Sequence, residues 1–363
     1  MTMQFPEGQA IVYCEGAFNT PNGKTAHGLV RRTRRYELLS IIDSNHAGAD
    51  AGEVLDGRPV GVPVVASLAE ALDRAAGEGR PATHFVIGLA PDGGRLPRAA
   101  RIVVEQALRA GLHVDSGLHD FLSEDASLAE LAKANGVRIR DVRRPPDRSE
   151  LHFFSGVIEA VGSTRIALLG TDSAVGKRTT AWKIVEGLEA RGRKVEMIGT
   201  GQTAWMQGVR FGILLDSLVN DFLTGEIEQV IHRAWVDACP ELMVLEGQGS
   251  LMNPAYPGGY ELLAAGRPHA VILQHAPTRR DYDGFPGYPI QPLNEQIRAI
   301  ELISGRPVVA LTLNHEGLTR DQVPAVCAAM AEETGLPVVD PLHGDLAPLL
   351  DIIERLRGEV GAG

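Results

Sequence analysis

The chain has 363 residues, 44% hydrophobic and 5% aromatic, which is apolar material for two buried cores rather than one. Its 46 acidic and 35 basic residues leave a net charge of −11, which excludes a non-specific nucleic-acid binder presenting a concentrated basic surface to phosphates. Three widely spaced cysteines, Cys14, Cys239 and Cys327, form neither a disulfide framework nor a zinc pattern. The start MTMQFPEGQAIVYCEG has no basic-then-apolar leader, and no apolar run approaches the roughly 20 residues a bilayer needs. The expectation is a protein of a reducing, cytoplasmic compartment with no membrane partner.

AIVYCEG (10–16) predicts a buried strand followed by the polar loop AFNTPNGKTAHG. The basic run RRTRRYE (31–37) is short and reads as a solvated surface. ELLSIIDSNHAG predicts the next strand, with Asp43 just past its apolar run and Asn45 and His46 in the turn. GVPVVAS, THFVIGLA, LHVDSGLHDFL and VRIRDVRRPP predict further strands, separated by helical patterns such as LAEALDRAAGEG and RIVVEQALRAG. Strands alternating with helices favour a parallel sheet covered on both faces. Its ligand crevice would lie outside the carboxyl strand ends, where Asp43, Asn45, His46, Gly93, Gly94 and His119 fall. Each of these turns is equally well explained as a tight connection. No GxGxxG follows the first strand, so NAD has no motif support.

Pro145-Pro146 followed by the polar DRSE marks a domain boundary, giving domains 1–148 and 149–363. Beyond it, IALLG predicts a strand, GTDSAVGK a loop and RTTAWKIVEGLEARG a helix. Glycines let such a loop turn N–H groups towards an anion, and the helix N-terminus adds favourable partial charge. The phosphate-binding set is Gly170, Thr171, Asp172, Gly176, Lys177, Arg178, Thr179 and Thr180. Two features depart from GxxxxGK[ST]: five residues separate Gly170 from Gly176, and Arg178 stands where a magnesium-binding hydroxyl belongs.

After the next strand, GTGQTAW offers Gln202 and Thr203 to a polar substrate. Asp221 opens a helical segment and reads as an ammonium partner, as an orienter of a base, or as an ordinary cap. LMVL ends at Glu246, followed by the turn carrying Gln248 and Ser250. A carboxylate at that strand end can face the phosphate loop as a general base for an amine, as a metal-shell group, or as a turn contact. HAVILQH then brings His275, Arg279 and Arg280, the two arginines being suited to a carboxylate or phosphate. Asn314, His315 and Glu316 follow the next strand, and a last strand and docking helix complete the domain.

GTDSAVGKRTT, GTGQTAWM, DFLTGEIE, VLEGQGSLMNPAY and LQHAPTRRDYDG, with IIDSNHAGADAGEVLDG, GVPVVAS, PDGGRLP and SGLHDFL in the first half, resemble the former domain-of-unknown-function family that contains bacterial D-glutamate N-acetyltransferases. The resemblance spans nearly the whole chain. It implies an α/β fold with an N-terminal Rossmann-like domain and a C-terminal P-loop NTPase-like domain of the dethiobiotin-synthetase type, both with mostly parallel sheets. It also implies acetyl transfer from acetyl-CoA to the α-amine of D-glutamate, in a catabolic route whose partner enzyme, racemase-like, converts the N-acetyl product to the L-form. On this reading Glu246 is the first candidate base and Asp221 the second, and Lys24 or Arg35 assists at the phosphates. The competing reading is an ATP- and magnesium-dependent ligase or kinase, with Thr179 on the metal and Asp216 or Glu246 in its shell. A third is a non-catalytic nucleotide sensor. The resident metal and the oligomeric state are left open, a homo-oligomer being compatible.

Overall fold

The computed structural model describes residues 5–360, the side chain of Asp92 excepted. The outermost residues of the two expected domains, 1–4 and 361–363, lie outside the described residues. The chain divides into two compact units, one of residues 1–145 with 202–209, the other of residues 146–201 with 210–363.

The first unit is built on six strands: β1 (Gly8–Tyr13), β2 (Tyr36–Ile42), β3 (Val64–Val65), β4 (His84–Ile87), β5 (His113–Ser116) and β6 (Ile139–Asp141). They pair in parallel in the order β3-β2-β1-β4-β5-β6, the doubly wound arrangement of a Rossmann-like domain. The near-continuous apolar runs IVY and FVI are buried because helices cover both faces of such a sheet.

The second unit has seven strands: β7 (Thr164–Gly170), β8 (Val195–Gly199), β9 (Phe211–Gly212), β10 (Leu242–Glu246), β11 (Ala270–His275), β12 (Val308–Leu313) and β13 (Val338–Val339). All pairs are parallel, in the order β13-β12-β11-β7-β10-β8-β9. β7, which feeds the phosphate loop, therefore sits between β10 and β11, so the loops after Gly170, Glu246 and His275 share one carboxyl edge. Parallel pairing requires a helical crossover between successive strands, and the same requirement puts every strand's carboxyl end on one side. The core beneath this edge includes Ile198, Ile227, Met243, Leu245, Leu273 and Leu311. The α/β class with two parallel sheets is as the sequence predicted. Among the described residues no helix is long and apolar enough to cross a membrane.

Candidate active site

β7 ends at Gly170, and the chain turns through Thr171–Gly176 into the helix Lys177–Ala190. Gly176 has φ +98°, a backbone that favours glycine. At Gly170 a Cβ would crowd the loop from two sides, 2.8 Å from Val175 Cγ2 and 2.9 Å from Lys177 Nζ. The first turn of the helix has N–H groups without intrahelical partners, and its dipole adds partial positive charge. Lys177 folds back over the loop, its Nζ donating to the carbonyls of Asp172 (2.8 Å) and Gly249 (2.7 Å). Burial pushes its amine down to about 8, with Arg279 and Arg178 adding to the depression and Glu246 and Asp172 opposing it.

Glu246 is the last residue of β10 and is only 6% exposed. One carboxylate oxygen accepts the Thr200 N–H at 3.1 Å, while the Thr200 hydroxyl donates to the Glu246 carbonyl at 3.0 Å. Burial raises its pKa, opposed in turn by Arg178, the Thr200 N–H and Lys177. Gln248 donates its side-chain amide to the Thr200 carbonyl, tying the β8 and β10 loops together. Gly249 has φ +54°, and a side chain there would collide with the Tyr256 carbonyl. Ser250 is buried in this turn, its backbone paired with Tyr256 and Gly258.

Arg279 and Asp172 form the brace of the loop. Asp172, fully buried, accepts from Ser173 N (2.6 Å), Asn253 Nδ2 (2.8 Å), Arg279 Nη1 (2.9 Å) and Asp283 N (2.9 Å). Arg279 also donates to the Ser173 carbonyl at 2.8 Å and to Glu316 at 2.7 Å. The sequence offered Arg279 to a substrate carboxylate; here its planar fork grips two carboxylates of its own chain. Arg280 beside it is exposed. Asn253 and the Asp283 backbone were not foreseen as loop partners, and the adjacent arginines alone carried no signal for them.

His275 closes β11 with its Nδ1 2.9 Å from the Thr171 hydroxyl, and burial pushes it down to about 4, so it is neutral at pH 7. Thr180 is buried and donates its hydroxyl to Gln274 at 2.6 Å, an oxygen it shares with Thr312. Asn314 donates to the Val175 carbonyl at 2.8 Å and holds the far side of the loop. Arg178 and Thr179 are half-buried in the first helical turn. Asp221 is exposed in the first turn of the helix Asn220–Ala238, the position of an ordinary helix-start acid.

Gln202 and Thr203 belong to the short helix Gln202–Met206, which packs within the first unit. Thr203 is buried 3.2 Å from the Thr25 hydroxyl, and Gln202 stands against Gly117. The same segment explains Arg35. Its guanidinium is fully buried, stacked 3.6 Å from the Trp205 ring centroid, donating to the Trp205 carbonyl and paired with Glu7. An arginine so enclosed is part of the packing, which corrects its expected role at the phosphates. Lys24 is exposed at the start of the helix Lys24–Arg31.

Asp43 is fully buried and takes the N–H groups of Phe18 (2.9 Å) and Asn45 (3.0 Å), pinning the β1 loop to β2. His46 lies 3.4 Å from it, and Asn45 is exposed. Gly93 and Gly94 have φ +71° and +61°, and Gly94 accepts from the His119 N–H at 2.7 Å, leaving that exposed side chain at the β4 and β5 loop ends. These six residues all follow carboxyl strand ends. Among the described residues no three or more His, Cys, Asp or Glu side chains converge as a metal site.

Two family models match the chain: the P-loop domain of DUF1611, a domain of unknown function, over residues 152–350, and the Rossmann-like N-terminal domain of the same family over residues 44–145. A D-glutamate N-acetyltransferase from Tritonibacter scottomollicae is 33% identical over 279 residues, covering 75% of this chain and 81% of the relative. A protein of the same name from a Pseudoalteromonas species is 28% identical over 269 residues, covering 72% of this chain and 78% of the relative. The crystal structure of a DUF1611 family protein from Anabaena variabilis superposes with a TM-score of 0.87 at 30% identity, covering 96% of this chain and all of that one.

Proposed function

The chain belongs to the DUF1611 family, and from that premise we propose that it is an N-acetyltransferase moving an acetyl group from acetyl-CoA to the α-amine of D-glutamate. The relatives' name supports the acceptor and the group transferred. The observation that carries the chemistry is Glu246, a buried carboxylate with a raised pKa on the strand beside the phosphate loop. An α-ammonium must lose a proton before it attacks a thioester, and a base whose pKa has moved towards neutrality is suited to take it.

In this reading the loop and Lys177 take the phosphates of CoA, and Glu246 removes a proton from the α-ammonium. The nitrogen attacks the thioester carbonyl, a C–N bond forms, and the carbonyl electron pair moves to oxygen. The Gly247 N–H is committed to the Leu168 carbonyl, so backbone N–H groups near Gly201 are the donors offered to that oxyanion. As it collapses the C–S bond breaks, the thiolate leaves and takes up a proton, and the remaining amine proton is lost to solvent. Arg279 is committed to Asp172 and Glu316, so Arg280 is the arginine of that pair left to meet a substrate carboxylate.

The test is free thiol released from acetyl-CoA with D-glutamate, L-glutamate and D-aspartate run side by side, without ATP or magnesium. D-glutamate should be the fastest acceptor. Thiol release with none of them, together with ADP formed once ATP and magnesium are added, would replace this reading with a ligase or kinase.

A further inference from the structure

A phosphate loop that works through magnesium places a hydroxyl directly after its lysine, and a carboxylate from elsewhere in the site completes the metal shell. Here the residue after Lys177 is Arg178, and the strand-end carboxylate is Glu246. These residues do not fit a magnesium ion. A guanidinium has five N–H donors and no acceptor, and it repels a second cation at the same place. Thr179 is one residue on, about 100° further round the helix axis. The Thr180 hydroxyl is buried and bonded to Gln274.

Arg178 has the placement of a ligand for the phosphate rather than for the metal. It is the second residue of a 14-residue helix whose first turn frames the loop, and it is half-buried. Its charge acts on both Glu246 and Lys177, and for Glu246 it is the largest influence opposing burial. Lys177 is pushed towards neutrality by its own burial, whereas a guanidinium keeps its charge at every accessible pH.

We propose that Arg178 is the resident cation of this loop and that the protein binds a diphosphate-bearing ligand without a divalent metal. CoA is such a ligand, and in that choice alone the inference rests on the acetyltransferase reading. Wild-type protein and Arg178→Thr and Arg178→Lys are titrated calorimetrically with CoA and with ADP, in chelator and in excess magnesium. The wild-type Kd should be the same in both media. Arg178→Thr, which restores the missing hydroxyl, should bind about tenfold or more weakly in chelator, the loss of one charge-assisted contact, and should regain affinity with magnesium. Arg178→Lys should keep most of the metal-free affinity. ADP binding metal-free while CoA does not would remove the acetyl-donor reading and leave the role of Arg178 standing. Wild-type binding that disappears in chelator, an unchanged Kd in Arg178→Thr, or no binding of either probe would overturn it.

Discussion

Replacing Glu246 with glutamine removes a proton acceptor and almost nothing else. The two side chains have the same shape, and an amide oxygen can still accept the Thr200 N–H that the carboxylate accepts at 3.1 Å. General-base catalysis contributes about 10²–10⁴-fold, so kcat should fall by that factor, or about 2.7–5.4 kcal/mol in the barrier. Stability should not fall with it. A carboxyl whose folded pKa lies above its unfolded value favours the fold below the unfolded value, and that contribution is lost as pH rises through the folded one. At neutral pH the neutral amide should therefore unfold no earlier than wild type. The assay is thiol release from about pH 5 to about pH 10. The wild-type rate should fall on the acid side at an apparent pKa above the usual carboxylate range, because burial raises Glu246, and Glu246→Gln should lose that limb. A folded Glu246→Gln protein turning over at the wild-type rate would refute the assignment.

Other consequences are as direct. Lys177 is held near 8 by burial among Glu246, Asp172, Arg279 and Arg178, so CoA affinity should drop as pH rises through that value, measured calorimetrically at about pH 7 and about pH 9. Constant affinity across that interval would remove the ammonium from the binding step. Asp172→Ala strips four hydrogen bonds from the loop and leaves Arg279 with Glu316 as its one carboxylate partner beside the Ser173 carbonyl, and urea denaturation should show a loss of about 3 kcal/mol. A loss below about 1 kcal/mol would mean the brace is dispensable. Gly249→Ala meets a left-handed backbone and the Tyr256 carbonyl together, so it should destabilise by more than about 1 kcal/mol. It should also weaken CoA binding, because the displaced Gly249 carbonyl no longer holds Lys177.

The strand-loop-helix around Gly170 and the carboxylate ending LMVL were readable because each is local, and parallel pairing then sets their strand ends on one edge. The brace was not readable. Asp172 and Arg279 are 107 residues apart, and two adjacent arginines look alike in sequence although one is committed to buried partners and the other is exposed. Likewise Gln202 and Thr203 follow a strand end as a substrate contact would, yet Trp205 and Thr203 carry that segment into the first unit through Arg35 and Thr25. Arg35 sits in a run of basic residues that suggests a solvated surface, and only the Trp205 ring and Glu7 reveal why it is buried. Thr180 was grouped with the loop by proximity in sequence, but on a helix its direction is towards the core and Gln274.

Metal-free acetyl transfer is tested most directly by the mass of the product formed from acetyl-CoA and D-glutamate in the presence of chelator. The product should be D-glutamate carrying one acetyl group on its α-nitrogen, formed in step with the free thiol. Unmodified D-glutamate and intact thioester, with a phosphorylated or ligated product appearing only when ATP and magnesium are supplied, would contradict it.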